Sequence, residues 1–251
     1  MLLEGKRAVI YGGGGGIGGA VARAFGREGA TVHLVGRTES TLDAVANDIR
    51  DAGGTAETAV FDALDESAVD AHADSVAAQQ GSLDISINLI STGDVQGTPL
   101  AEMSLADFEQ PIHNLVRSTF ITWRAAARHM IKQRSGVILA FGGDGDPVRD
   151  YSIGGFQVSL AAVESMRRQL ASELGKFGVR VVSLVTGGVM ELVPNDFEHY
   201  DVIYDAVVGP TMLKRAATLA DVGNVAAFAA SDMAQSITGS TINISCGAIV
   251  D

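Results

Sequence analysis

The segment Gly12-Gly13-Gly14-Gly15-Gly16-Ile17-Gly18 follows an apolar run, Arg7–Tyr11, and leads into a stretch with helical periodicity. That context gives the glycines a chemical meaning. Without Cβ atoms the chain can turn tightly, and its backbone N–H groups can approach a pyrophosphate closely. A helix beginning near Ile17 adds the positive end of its dipole at the same place. A glycine run detached from a strand would read as flexible linker instead. The other reactive side chains are scattered: Asp144, Asp146, Asp150, Tyr151, His113 and His199 have no metal-ligand spacing, and no His/Cys cluster occurs, so no metal site is expected. The single cysteine, Cys246, excludes an internal disulfide and fits a reducing compartment.

The elements that must hold this segment are legible from hydrophobic period. Arg7–Tyr11, Thr31–Val35, Thr55–Phe61, Ile85–Ile90, Gly136–Phe141, Val179–Val185 and Thr241–Ser245 each read as a buried strand. Gly18–Glu28, Leu42–Ala52, Glu66–Gln79, Ala106–Gln133, Phe156–Phe177 and Leu219–Ala230 carry helix-period apolar faces. Alternation of apolar strands with helices predicts an α/β fold: one doubly wound, Rossmann-type domain over residues 1–251, with a seven-stranded parallel sheet and helices on both faces. A length of 251 residues suits one such domain. With 47% hydrophobic and only 6% aromatic residues, its core is expected to be largely aliphatic. The formal charge of −12 argues against nucleic acid or an anionic membrane as partner. No uncharged 18-residue apolar stretch and no signal peptide are found, so a cytoplasmic, soluble protein is expected.

The spacing Gly12, Gly16, Gly18 resembles the short-chain dehydrogenase/reductase family, whose fingerprint is T-G-x-x-x-G-x-G; Tyr11 stands in the threonine position. The resemblance extends over the whole chain. It implies a cofactor site made by Gly12, Gly16, Ile17, Gly18, Arg37, Asp62, Asn88 and Gly187. Arg37 ends the second strand where the family reads the adenosine ribose. An acidic residue there would favour NAD(H), whereas an arginine fork suits a 2′-phosphate, so NADP(H) is expected in preference to NAD(H). A solvated turn arginine is the alternative reading. Asp62 matches the family aspartate near the adenine. Asn88 begins the family's N-N-A-G segment, continued here as Leu89-Ile90-Ser91, and Thr186-Gly187 stands for its P-G. Ile237-Thr238-Gly239 and Cys246-Gly247 resemble its carboxyl-terminal landmarks.

The same resemblance exposes a vacancy. Family members use asparagine, serine, tyrosine and lysine to exchange a proton with a carbonyl or alcohol while hydride moves to or from nicotinamide, and each group must lie within hydrogen-bond reach of the next. Ungapped registration puts Leu115 in the asparagine slot, with Asn114 one residue early and about 100° round the helix. Gly143 takes the serine slot, Phe156 the tyrosine slot thirteen residues on, and Leu160 the lysine slot four later. Tyr151 and Asn114 are the weak substitutes; a Tyr151 register would place Gly155 and Ile138 in the lysine and serine slots.

The resemblance therefore implies an NADP(H)-binding oxidoreductase-like protein acting on a small-molecule carbonyl or alcohol, with ordinary tyrosine-dependent transfer weak or absent. A non-catalytic dinucleotide sensor or inactive partner subunit, and a lyase, isomerase or cyclase on the same scaffold, are the alternatives. Residues 190–213 correspond to a substrate lid, read here as a long loop. A homotetramer or homodimer is implied through the helices near Ala106 and Phe156.

Overall fold

Short aliphatic runs form the strands β1 (Arg7–Tyr11), β2 (Thr31–Gly36), β3 (Thr55–Val60), β4 (Ile85–Asn88), β5 (Gly136–Gly142), β6 (Val179–Val185) and β7 (Thr241–Asn243). The computed structural model describes residues 1–143, 152–197 and 199–250; Asp144, Asp146, Asp150, Tyr151 and Glu198 lie outside the described residues. The strands make one parallel sheet in the order β3-β2-β1-β4-β5-β6-β7. The winding reverses between β1 and β4, which opens a crevice at their carboxyl ends.

Helices α1 (Gly16–Arg27), α2 (Glu39–Asp51) and α8 (Leu219–Ala230) supply the apolar layer on one face, around Val21, Phe25, Ile49 and Ala226. Helices α3 (Glu66–Gln80), α5 (Arg117–Gln133) and α6 (Gly154–Leu174) supply the other, around Val69, Trp123, Val163 and Leu174. Burying each of these larger apolar side chains stabilises the fold by roughly 1.5–3 kcal/mol. Polar ties fix the helix ends. Asp65 accepts from the N–H groups of Ser67 and Ala68 at the start of α3, and Thr218 and Asp221 form a reciprocal cap on α8.

Three expectations need correction. The stretch read as one helix from Ala106 to Gln133 is divided into α4 (Leu105–Pro111), a π-turn at Ile112–Val116, and α5. Pro111 has no N–H to give the carbonyl four residues back, which breaks the regular ladder at this junction. Strand β3 is not buried throughout: it is the sheet edge, and Thr55, Glu57 and Val60 are exposed. The segment 190–213 is not all loop, since it contains a 3-10 turn at Met190–Leu192 and helix α7 (Tyr200–Val208).

Beneath the β2–β3 edge lie two imidazoles. His33 Nδ1 is 3.5 Å from Glu57 Oε2, and the His33 and His72 rings are 6.3 Å apart, with Phe61 against His72. His33 Nε2 and His72 Nδ1 are buried without a hydrogen-bond partner among the described residues. Burial, reinforced by neighbouring His33, lowers the pKa of His72 to about 4, and burial lowers that of His33 against the pull of Glu57. The unfolded chain therefore binds these protons more readily than the native one. Stability is complete above pH 6.5 and is lost as pH falls toward 4, by about 3 kcal/mol from His72. Thermal midpoints measured from pH 7.5 to 4 should fall more steeply for the natural chain than for His72→Leu. Parallel curves would contradict the assignment.

Candidate functional site

The glycine turn is held by backbone meeting backbone. Gly12 has φ +79°, and a Cβ there would collide with the Leu89 carbonyl just beyond β4. A Cβ on Gly18 would collide with the Gly12 carbonyl. Gly13 and Gly14 are crowded too, with Leu34 Cδ2 and Thr41 Oγ1 at 2.7 and 2.5 Å from where their Cβ atoms would stand. Helix α1 starts from Gly15 with no side-chain cap and no acidic residue in its first turn, so its positive end is left for an external anion.

A cleft of about 260 Å³ opens at this end of the sheet, walled by Gly12, Gly14, Gly15, Gly36, Arg37, Asp62, Leu89, Ile90, Ser91 and Asn114. Arg37 is 75% exposed, and its Nη1 lies 3.9 Å from Asp62 Oδ2, a weak pairing that leaves the guanidinium available. Asp62 also accepts from Leu64 N–H at 3.0 Å, which fixes its orientation at the mouth.

The remaining residues expected at the cofactor site fall outside this cleft. Gly16 is exposed with the Leu192 side chain beside it, Ile17 is half-buried against the core, and Gly18 is the buried spacer between α1 and the turn. Asn88 is 4% exposed and its amide is spent internally: Nδ2 donates to Ser118 Oγ at 2.8 Å and Thr119 Oγ1 at 3.2 Å, while Oδ1 accepts from Ile90 N–H. It anchors the end of β4 to α5 instead of lining the cleft. Gly187 lies against Ser245 and Ala248 of the carboxyl-terminal segment. The preceding Thr186 is held by Gly188 N–H at 3.1 Å and by Gly142, whose carbonyl accepts from Thr186 N–H at 3.0 Å.

The four positions registered to the family's asparagine, serine, tyrosine and lysine on sequence, Leu115, Gly143, Phe156 and Leu160, carry hydrocarbon or no side chain. Leu115 and Leu160 are each 5% exposed within the core, and Phe156 packs half-buried beside them. Leu160 fills the space beside β5, where its Cδ2 stands 2.7 Å from a Cβ placed on Gly142 and its Cδ1 3.6 Å from one placed on Gly143. The amino end of α6 rests on α4, with Gly154 against Met103 and Gly155 against the Phe108 carbonyl. The π-turn sends Leu115 inward and leaves Asn114 on the cleft wall. Asn114 Nδ2 donates to the Thr92 carbonyl at 3.0 Å; its Oδ1 has no hydrogen-bond partner among the described residues. On sequence Asn114 stands as a weak substitute one residue from the asparagine slot; the π-turn at Ile112–Val116, which an ungapped helical register does not foresee, is what sets it on the cleft wall.

The glycine contacts predict an ordered series. Gly12→Ala and Gly18→Ala, which strike backbone, should each cost about 3 kcal/mol or more in denaturant-unfolding stability. Gly16→Ala meets only the flexible, half-exposed Leu192 and should cost less than about 1 kcal/mol. Equal losses at the three positions would refute this account of the turn.

The comparisons with known proteins agree with this geometry. The family model described as enoyl-(acyl carrier protein) reductase matches residues 13–248. A 7alpha-hydroxysteroid dehydrogenase of Clostridium sardiniense is 29% identical over 240 residues, covering 94% of this chain and 90% of its own. A gluconate 5-dehydrogenase of Gluconobacter oxydans (strain 621H) is 31% identical over 185 residues, covering 74% and 72%. A solved short chain dehydrogenase from Burkholderia cenocepacia J2315, in complex with NADP, superposes with a TM-score of 0.86 at 29% identity over 99% of both chains. With its Rossmann-type sheet, its glycine turn and a family match spanning nearly its full length, the chain belongs to the short-chain dehydrogenase/reductase family of oxidoreductases.

Proposed function

We propose that this chain binds a nicotinamide dinucleotide in the cleft at the β1–β4 crevice, NADP(H) in preference to NAD(H), and exchanges hydride with a small molecule without a tyrosine–lysine proton donor. The observation that carries the reading is the contrast between the two ends of one site. The glycine cradle and the uncapped α1 fit a pyrophosphate, while Leu115, Gly143, Phe156 and Leu160 offer no protic side chain. Arg37, exposed at the mouth, suits a 2′-phosphate. When bound, the coenzyme supplies or takes up hydride. Gly12, Gly14 and Gly15 would hold its phosphates, Arg37 and Asp62 would meet its adenosine end, and Asn114 would line the same cleft.

Two of the similar proteins are named as dehydrogenases of a hydroxysteroid and of gluconate, which supports an alcohol- or carbonyl-sized ligand here. Residues 190–213 serve as its lid: Val207 of α7 lies on Gly188, and Leu192 and Phe197 are exposed toward solvent. The chain assembles as a homodimer or homotetramer through α5 and α6, which expose Phe120 and Val158. A cytoplasmic location is consistent with the lone cysteine and with the lack of any membrane-spanning helix among the described residues. The second reading, a nucleotide sensor or inactive partner subunit, is favoured by the same apolar filling, since Leu115 and Leu160 are buried in the core.

Fluorescence titration tests the first half. NADPH should bind about tenfold or more tightly than NADH, and Arg37→Ala should erase the difference, as expected for loss of a charge-assisted contact. Failure of both nucleotides to bind at millimolar concentration would end this reading. For the second half, Gly143→Ser, Phe156→Tyr and Leu160→Lys combined should raise ketone reduction by about 10²-fold or more. Equal rates in the natural and restored chains would mean that another group donates the proton.

A further inference from the structure

We propose that the imidazole pair His33–His72 is coupled through Phe61 to the nucleotide cleft, so that filling the cleft and charging the pair oppose each other; this rests on the dinucleotide reading above and adds a pH-sensitive control to it. Phe61 belongs to both places. It stands in the wall of the cleft beside Asp62, and its ring packs on that of His72 with centroids 5.3 Å apart. Its N–H donates to the Gly36 carbonyl at 3.0 Å. That bond joins the residues immediately before Asp62 and Arg37, the pair at the cleft mouth.

Little around the imidazoles can hold a positive charge. His33 Nε2 and His72 Nδ1 are buried without a hydrogen-bond partner among the described residues, and the two rings lie 6.3 Å apart, where two charges would repel. The carboxylates of the neighbouring elements are committed. Glu57 of β3 lies 3.5 Å from His33 Nδ1 and also accepts from Gln80. Along the seam of α3 and α5, Glu66 and Asp70 hold Arg124, Asp70 and Asp74 hold Arg128, and Asp74 meets His129. Asp62 faces Arg37, and burial keeps the Tyr11 phenol of β1, near Asp70, protonated. Only Glu57 draws charge onto the pair, through His33, and burial outweighs it; both rings are neutral at neutral pH.

An imidazolium at position 72 must find water, which means leaving its contact with Phe61. The phenyl ring then loses one side of its packing, and the cleft wall loosens beside Asp62. The reverse also holds. A nucleotide seated against Phe61 keeps that ring on His72 and shuts out the water an imidazolium needs. Binding and protonation thus share one coupling free energy, read equally from either side. Direct attraction by the nucleotide phosphates would act the other way and favour the charged ring, so the sign of the effect separates the two causes.

The test follows the His72 ring by NMR, its resonance identified by absence from His72→Leu. Saturating NADP+ should lower the His72 pKa by about half a unit or more, equivalent to about threefold weaker nucleotide binding by the protonated chain. In Phe61→Leu, shown by its thermal midpoint to be folded and saturated with NADP+, the shift should vanish. If acid unfolds the chain before His72 titrates, deuterium exchange at the His72 C2 carbon at pH 7 reads the same coupling, because that exchange passes through the imidazolium. NADP+ should slow it about threefold or more. A pKa that rises or stays fixed on binding, or exchange that does not slow, would overturn the proposal, as would a shift that persists in Phe61→Leu. If NADP+ binds and His72 is indifferent, the coupling alone falls; if NADP+ does not bind at millimolar concentration, the underlying nucleotide reading falls with it.

Discussion

The closest constraint in this molecule is steric and lies where β1, β4 and the first turn of α1 converge. Main chain touches main chain there: the Leu89 carbonyl occupies the space of a Gly12 side chain, and the Gly12 carbonyl that of a Gly18 side chain. No rotamer change relieves such a contact, because neither partner has a torsion to spare. These contacts fix how closely α1 approaches the ends of β1 and β4. A helix set this close to its strand must leave its amino end facing the cleft.

The opposite end of the cleft obeys a softer rule, that of close packing. Leu160 fits beside Gly142 and Gly143, and Phe156 beside Leu160, so the wall coheres as part of the core shared with α5 and β5. A charged side chain at position 160 would have to be solvated or paired in the same volume. The leucine instead contributes burial worth roughly 1.5–3 kcal/mol. The two ends thus differ in what they tolerate. Substitution at the glycine turn strikes main chain, whereas substitution at Leu160 or Leu115 disturbs side-chain packing in the core.

Much of this was legible in the residues. Arg7–Tyr11, Val179–Val185 and Leu219–Ala230 coincide with their expected bounds, because predominantly apolar strands and a helix-period apolar face give strong local signals. Residues whose conformation depends on distant partners were not legible. The partners of Asn88, Ser118 and Thr119, lie far along the chain, and nothing near Asn88 in the sequence names them. Helix α7 was taken for loop because its polar residues mask Ile203 and Val207, four apart on one face. The exposure of β3 follows from strand order, which no single segment encodes.

The wide turn at Ile112–Val116 has a consequence for how the cleft can change. Such a turn accommodates one residue more than an α-helical turn, and each residue of an α-helix advances the face by about 100°. Deleting a single residue there would remove the wide turn and rotate α4 relative to α5, with the break at Pro111 still present. The upstream segment would then swing by that angle, and Met103 and Phe108 could no longer both seat the start of α6. The shape of the inner wall is therefore tied to chain length at one point, and a deletion would reshape it more than any exchange of side chains.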